Sequence, residues 1–214
     1  MKDNNWELVN GPAAHEIEFI NHENQINVIE ALVKLYTAVG VVSDAGCHAF
    51  PTARVLLELH RTGTLFLLDN PGEYRKDYDV VVRRSDGVIV HEPPPWQEVE
   101  GLMAEFHEEV AQMWEDPNRV KVAAYALWRI NWIHPFRNGN GRSARSFAYA
   151  CLCLKFATFL PGSPTVLDMI MADRPPYEAA LNHADETFAA TGTADLGPME
   201  DYLGGLLIRQ LSAA

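Results

Sequence analysis

Two long apolar segments joined by a short polar loop constrain the fold of this chain more than any other feature. Residues 118–133 are apolar on nearly every side, and residues 142–160 form a second apolar segment that ends before Pro161 and Gly162. Helices that are apolar all round are usually buried. We therefore expect a pair of central helices, with the loop between them at the surface of a helical core.

Most of the remaining chain is also predicted to be helical. Apolar residues spaced three and four positions apart predict further helices over residues 27–39, 52–63, 96–114, 175–188 and 199–211. In the first of these, Val28, Leu32, Leu35 and Val39 form the expected apolar stripe. We predict that residues 1–20 are an irregular N-terminal extension and that residues 21–214 form a single domain.

One segment has the pattern of β-strands. Residues 78–92, YDVVVRRSDGVIVHE, place two β-branched runs on either side of Ser85, Asp86 and Gly87, which is typical of a hairpin. An isolated hairpin is unstable unless it packs on another surface, so we expect it to lie on the helical body as a flap. The predicted fold class is all-α with one β-hairpin flap.

The overall charge limits the class of partner. With 17 basic and 29 acidic residues, the formal net charge is −12, which opposes non-specific binding of nucleic acid. The sequence has no segment of transmembrane length and no apolar run of signal-peptide type at its start. We therefore expect a cytoplasmic protein that binds neither nucleic acid nor membrane. A local basic cluster in such a chain indicates a small anion as ligand.

The polar loop has the composition of an anion site. It begins the stretch HPFRNGNGRSAR, residues 134–145, in which Gly139, Asn140 and Gly141 allow a tight backbone with positive φ angles. Such a backbone turns successive N–H groups inward as a nest for an anion. The nest is expected to open onto the N-terminus of the following helix, where free N–H groups and the helix dipole favour phosphate.

Three charged or titratable side chains add chemistry to this loop. Arg142 and Arg145 are three residues apart, so both can reach phosphate oxygens from the first turn of the helix. His134 lies at the rim, where an imidazole with a pKa near neutrality can take a proton from an incoming hydroxyl. For the Gly-Asn-Gly tripeptide alone, an ordinary turn with solvated arginines is the simpler interpretation, but the whole stretch favours the anion site.

The stretch resembles the signature of the Fic family, HPFx(D/E)GNGRxxR, and differs from it at one specified position. The segments GEYR (72–75), HEPPPWQEVEGLMAEF (91–106) and PPYEAAL (175–181), together with the hairpin, follow the order of the family. The resemblance covers roughly residues 72–205. It implies a helical fold with a flap, and the transfer of AMP from ATP to a Ser, Thr or Tyr hydroxyl of a target protein with release of pyrophosphate.

The resemblance also implies a role for each matching residue. His134 is expected to be the general base, the loop from Gly139 to Arg142 the phosphate cradle, and Arg145 a contact to the far phosphate. Tyr177 is expected near the nucleotide base, with an ordinary core tyrosine as the alternative. The flap is expected to hold an extended target segment by strand addition, through Val80, Val81, Val82, Val88, Ile89 and Val90.

Asn138 is the position that departs from the signature. The family has a carboxylate there, which holds the Mg²⁺ that bridges the nucleotide phosphates, whereas an amide oxygen supplies no charge to a hard cation. Three interpretations stay open. The protein adenylylates with a higher demand for Mg²⁺, it transfers another phosphate-containing group from a different donor, or it is a non-catalytic regulator that binds nucleotide.

The resemblance raises the question of how activity is controlled. Many Fic proteins are inhibited by a glutamate in an (S/T)xxxE(G/N) helix, which pairs with the second signature arginine. The segment FINHEN (19–24) places Glu23 and Asn24 in this pattern, but Phe19 stands at the Ser/Thr position. Glu23 is therefore a candidate inhibitory residue, with an ordinary helix-entry carboxylate as the alternative. Inhibition by a separate partner protein and assembly as a homo-oligomer also stay open.

Overall fold

Eight α-helices and one small hairpin make up the part of the chain that the structure describes. This computed structural model describes residues 7–9, 11–38, 51–83 and 86–214. The strands are β1 (Val82–Arg83) and β2 (Ile89–His91), and the helices are α1 (Pro12–Ala38), α2 (Ala53–Thr64), α3 (Trp96–Met113), α4 (Lys121–Ile133), α5 (Asn140–Lys155), α6 (Val166–Ala172), α7 (Arg174–Thr191) and α8 (Gly197–Leu211). The predicted fold class is confirmed.

Helices α4 and α5 form the centre of the core. Every residue of α4 from Val122 to Ile130 is buried, and so is every residue of α5 from Ser143 to Leu154. Helices α1 and α2 pack on α5, while α3, α7 and α8 pack on α4. The α5 helix ends earlier than the predicted residue 160, because Ala157 takes a left-handed conformation with φ 53°.

Helix α1 corrects the prediction for the N-terminal region. The predicted irregular extension over residues 1–20 is wrong from Pro12 onward, where α1 begins. Residues 1–6 and residue 10 of that extension lie outside the described residues. The first half of α1 lacks an apolar period because two of its buried residues are the polar Asn21 and Gln25. Among the helices of the described ranges, none combines the length and the apolar character needed to cross a membrane.

The second half of α1 confirms part of the predicted stripe. Val28 and Leu32 are half-buried and pack against the core, whereas Leu35 is 57% exposed. The prediction is wrong at Leu35 and missed the fully buried Ile29 and Val33, and Val39 lies outside the described residues. Such an error arises easily because the segment has apolar residues on more than one side, and only the packing against α2 decides which of them are covered.

The hairpin is shorter than the sequence pattern predicts. Val82 pairs with His91 and Arg83 with Ile89 in antiparallel register, with an irregularity between the two pairs. Ser85, part of the predicted turn, lies outside the described residues. The hairpin is attached to the body through His91, whose Nε2–H donates to the Trp132 carbonyl at 2.7 Å. The flap thus lies at the C-terminal end of α4.

Two histidines outside the polar loop are buried in the neutral form. His60 on α2 stacks on Phe136, with ring centroids 3.7 Å apart. Its Nδ1 accepts a hydrogen bond from the Gly72 N–H at 2.8 Å, and its Nε2–H donates to the Asn138 carbonyl at 3.0 Å. Burial lowers the pKa of His60 to about 4, and burial alone does the same to the pKa of His107 on α3.

We expect the free energy of unfolding to decrease as the pH falls from about 6.5 toward 4. These histidines have a pKa of 6.5 when unfolded and about 4 when folded, so in this window the unfolded state binds more protons. The hydrogen bond with His22 lowers the pKa of Asp168 to about 2, so stability from this carboxylate is lost only below its unfolded pKa of 3.8. Urea unfolding at graded pH measures the decrease.

The variant His107→Leu provides the matched comparison for this pH dependence. Neither ring nitrogen of His107 has a hydrogen-bond partner, so the substitution removes a titrating group without breaking such a bond. We expect a shallower decrease of the unfolding free energy in this variant. An identical slope in the variant and the unmodified protein would show that His107 is not buried in the neutral form.

Candidate active site

The polar loop begins with a residue in a left-handed conformation. His134 follows the last residue of α4 and has φ 52° and ψ 57°, a region that residues other than glycine seldom adopt. Its N–H still donates to the Ile130 carbonyl at 3.0 Å, which caps the helix. The chain therefore turns sharply at His134.

The side-chain amide of Asn140 closes the loop. Its Oδ1 accepts a hydrogen bond from the Phe136 N–H and its Nδ2 donates to the Phe136 carbonyl, both at 2.8 Å. The Phe136 ring between them is fully buried. Because the amide of Asn140 is occupied in this way, Asn140 can offer an anion only its backbone N–H.

Gly139 places the loop at the N-terminus of α5. Its φ of 77° is left-handed, and a Cβ atom at this position would lie 2.5 Å from the Cγ2 of Thr64, so both the backbone and the space require glycine. Gly141 is already helical. Of the three residues predicted to form the nest, Gly139 alone has a positive φ. The groups that the loop offers to an anion are therefore mainly the first-turn N–H groups of Asn140, Gly141 and Arg142, which have no acceptor within the helix.

The two signature arginines lie in different surroundings. Arg142 Nη1 is 3.0 Å from Oε1 of Glu18, a residue of α1. Arg145 is 9% exposed and lies beside Tyr177. Burial is the main cause that lowers the pKa of both guanidinium groups. A buried cation attracts an anionic partner, and Glu18 is that partner for Arg142 in this structure.

Glu18 was not singled out from the sequence, and Glu23 was. Glu23 is exposed on α1. Five residues along a helix correspond to a rotation of about 140°, so Glu23 faces away from the side that carries Glu18. The carboxylate of α1 that reaches a signature arginine is therefore Glu18, and the arginine is the first one, Arg142.

Asn138 is held by contacts on both sides of its amide. Its Nδ2 donates to Oε1 of Glu7 at 3.0 Å, and its Oδ1 accepts the Gly139 N–H at 2.6 Å. In the described part of the chain, no group of three or more His, Cys, Asp or Glu side chains is arranged to hold a metal ion. The residues around Asn138 therefore do not fit a Mg²⁺ ion held by the side chains of the protein itself.

His134 has one nitrogen available for proton transfer. Its Nδ1 is 3.2 Å from the Asn131 carbonyl. A carbonyl only accepts, so Nδ1 carries the proton and Nε2 keeps its lone pair. Burial, together with nearby His91 and Arg75, lowers the pKa of His134 to about 4 although the bond to Asn131 opposes this. The imidazole is therefore neutral at pH 7, and its pKa is lower than the near-neutral value expected from the sequence.

Two cavities meet at His134. One, of about 570 Å³, is lined by charged groups of α1 and the loop, including Glu18 and Arg142. The other, of about 630 Å³, lies below the hairpin and is lined by aromatic and amide groups, including Trp128 and Asn182. Both include His134, Gly141, Arg145 and Arg174 in their walls. His134 and the N-terminus of α5 therefore lie between a cavity lined by charged groups and a cavity below the hairpin lined by aromatic and amide groups.

The remaining predicted residues lie around the cavity below the hairpin. Tyr177 is 2% exposed, and its hydroxyl accepts a hydrogen bond from Asn131 Nδ2 at 2.9 Å. The ring lines the cavity, so contact with a nucleotide base stays a prediction. Of the predicted flap residues, Val82 and Val90 line the same cavity, Val81, Val88, Ile89 and Val90 are exposed, and Val80 is half-buried.

Comparisons with known proteins identify a family. Residues 50–152 match the model of the Fic/DOC family. A Fic domain containing signaling protein from Bacteroides thetaiotaomicron has a similar structure, with a TM-score of 0.70, 20% identity, and coverage of 95% of this chain and 72% of that chain. A Fic family protein from Desulfovibrio desulfuricans has a TM-score of 0.62 at 21% identity, covering 94% of this chain and 66% of that chain. At these identities the likeness shows the fold.

Two further matches cover smaller parts of longer proteins. Fic-1 from C. elegans has a TM-score of 0.52 at 18% identity, over 86% of this chain and 49% of that chain. The ribonucleoside-diphosphate reductase small chain of Ostreid herpesvirus 1 is 28% identical over an alignment of 102 residues, which covers 42% of this chain and 17% of that protein. This chain therefore spans about half of the solved Fic-1 chain and about a sixth of the reductase chain, too little to transfer an activity.

The family match includes α4, the left-handed His134, the loop and most of α5, which are the elements that build the site. The similar structures reproduce the surrounding helical fold. Residues 50–152 of this chain form a Fic domain and belong to the Fic/DOC family.

Proposed function

We propose that this protein transfers AMP from ATP to a hydroxyl group of a target protein, with release of pyrophosphate. The observation that carries the proposal is the position of His134, whose Nε2 lone pair is available where the charged cavity and the cavity below the hairpin meet. The first-turn N–H groups of α5 and two arginines supply a place for phosphate beside it. The family of the domain supports the same reaction.

In the proposed reaction each group of the site has one task. The triphosphate binds at the N-terminus of α5, where Arg142 and Arg145 offset its charge. The target hydroxyl attacks the α-phosphorus, the bond between that phosphorus and the bridging oxygen breaks, and pyrophosphate leaves. His134 takes the hydroxyl proton at Nε2, while its Nδ1–H stays on the Asn131 carbonyl and fixes the ring.

The hairpin supplies a surface for the target. Among the described residues the sheet has two strands, β1 and β2, and an extended segment can add along an outer edge as a third strand. The exposed Val88, Ile89 and Val90 offer apolar contacts to such a segment. His91 anchors the same strand to α4, so a docked segment lies close to His134.

A second candidate function is nucleotide binding by a non-catalytic regulator. Two observations favour it. Asn138 brings no negative charge for a metal ion, and Arg142 is paired with Glu18 instead of being open to phosphate. Incubation of the protein with a cell extract and ATP labelled at either the α- or the γ-phosphate separates the two candidate functions. Label from the α-phosphate on protein supports AMP transfer, label from the γ-phosphate indicates a different transferred group, and binding without transfer supports the regulator.

His134→Ala is expected to abolish transfer and to leave the affinity for ATP nearly unchanged. The histidine acts on the attacking hydroxyl and lies beside the cradle, so its loss costs about 10²–10⁴ in rate without removing a phosphate contact. Transfer rates and calorimetric titration with ATP measure the two quantities. His183→Ala is the control, since this histidine on α7 is partly exposed and pairs with Asp195. Normal transfer by His134→Ala would contradict the assigned role.

Glu18→Gln is expected to increase the affinity for ATP about fivefold. The carboxylate competes with phosphate for Arg142 and repels the negative ligand, and a partly exposed ion pair contributes about 1 kcal/mol. Arg142→Ala is expected to weaken ATP binding by about 1.5–3 kcal/mol. Glu23→Gln, which removes the same charge from an exposed position on the same helix, is expected to change the affinity little. Equal effects of the two glutamine variants would exclude a specific role for Glu18.

Asn138→Asp is expected to lower the Mg²⁺ concentration that supports half-maximal ATP binding. The new carboxylate faces Glu7, which is 3.0 Å from the present amide nitrogen, and two adjacent carboxylates suit a hard dication better than an amide does. Without Mg²⁺, the same variant should bind ATP more weakly because like charges then meet. Calorimetry at graded Mg²⁺ tests both effects. A folded variant with unchanged Mg²⁺ dependence would show that this position has no part in metal binding.

A further inference from the structure

Arg75 is a charged residue whose side chain is entirely covered. It lies in the GEYR segment between α2 and the hairpin, and its side chain is 0% exposed. Nε donates to the His134 carbonyl at 2.9 Å, and Nη2 donates to the Ile133 carbonyl at 3.3 Å. Carbonyls at the end of a helix lack partners within it. The guanidinium therefore caps the C-terminus of α4 at the residue that we assign as general base.

The same side chain reaches both ends of the hairpin. Nη2 also donates to the carbonyl of Pro94, which follows β2. Nη1 is 3.6 Å from Oδ1 of Asp79, which precedes β1. The Asp79 oxygen also accepts the N–H of Trp96, the first residue of α3, at 2.8 Å. One guanidinium thus connects the two stems of the hairpin with the end of α4.

The backbone of Arg75 adds a further connection. Its N–H donates to the Pro135 carbonyl at 2.8 Å. Arg75 therefore contacts three consecutive residues, Ile133 to Pro135, across the point where the chain turns. His134 is left-handed at this point, and a conformation of this kind persists when its surroundings hold it in place.

From these contacts we propose that Arg75 is a positioning residue, which sets the distance between the hairpin and the His134 imidazole. The proposal rests on the proposed function in one respect, namely that a target segment lies along the hairpin. With the hairpin held to the histidine by one rigid fork, the target hydroxyl arrives at Nε2 in a constant position. Misplacement of a reacting group by about 1 Å costs on the order of 10²-fold in rate.

The variants Arg75→Met and Arg75→Lys test this role. Methionine keeps an unbranched apolar side chain, although a shorter one, and removes every side-chain hydrogen bond. Lysine keeps the charge and can still reach some of the carbonyls, but it lacks the planar fork. Arg61→Met is the matched control, because Arg61 on α2 is exposed and pairs with neighbouring Glu58. Thermal melting identifies any variant that fails to fold, and in that case Arg75→Lys decides the outcome.

The first measurement does not depend on activity. Hydrogen exchange of the backbone amides of residues 86–96 and 131–136 reports whether the hairpin and the histidine stay fixed. We expect about tenfold faster exchange in both segments for Arg75→Met, a smaller increase for Arg75→Lys, and none for Arg61→Met. Unchanged exchange in both folded Arg75 variants would overturn the proposal.

The second measurement separates positioning from a general loss of structure. For Arg75→Met we expect kcat for target modification to fall on the order of 10²-fold, while the calorimetric affinity for ATP changes less than about twofold. Arg75→Lys should recover part of kcat. Faster exchange with unchanged kcat, or an equal loss of ATP affinity, would overturn the positioning role. If the unmodified protein transfers nothing, the proposed function fails, and the exchange data still decide whether Arg75 holds the hairpin.

Discussion

The bidentate contact between Asn140 and Phe136 is the interaction on which the geometry of the site depends. Its two hydrogen bonds are buried and local, and leaving either group unpaired would cost about 1–3 kcal/mol. The contact fixes the conformation of the loop between α4 and α5. His134 stands at one end of that loop and the first-turn N–H groups of α5 at the other. Stacking of Phe136 on His60 then attaches the loop to α2. The loop therefore fixes the positions of α2, α4 and α5 relative to one another.

The charges around the loop oppose each other. The protein has a net charge of −12, yet it places Arg142, Arg145 and a helix N-terminus together. Two acidic groups, Glu7 and Glu18, come from the N-terminal region and contact Asn138 and Arg142. In the proposed function, a nucleotide phosphate competes with Glu18 for Arg142. The affinity for nucleotide is then expected to depend on the position of α1 as well as on the loop.

The parts that sequence reasoning predicted are those built from neighbouring residues. The two central helices follow from apolar periodicity, and the loop follows from a contiguous stretch in which His134, Gly139 and Arg142 are close along the chain. The parts that it missed arise from distant contacts. Glu18 and Arg142 are in contact although they are 124 residues apart in the sequence, and Arg75 and His134 are 59 residues apart. No local pattern marks either residue, because its role depends on which helix packs against which.

The first half of α1 was not predicted as a helix because its buried residues are polar, and these polar residues also position the helix beside the site. Its buried Asn21 and Gln25 interrupt the apolar period, and each is there to make a hydrogen bond. Asn21 donates to the Leu65 carbonyl at 2.9 Å, and Gln25 donates to the Leu59 carbonyl at 2.7 Å and to Ser146 at 3.2 Å. His22 adds a contact to Asp168 on α6 at 3.0 Å.

Directional bonds of this kind place a helix more specifically than apolar contact does, because a bond is lost when the helix rotates or slides by one residue. They also contribute less net free energy than burial of the same area of apolar surface. The polar contacts of the first half of α1 therefore fix its rotation and its register against α2 and α5. The same contacts place Glu18 beside Arg142.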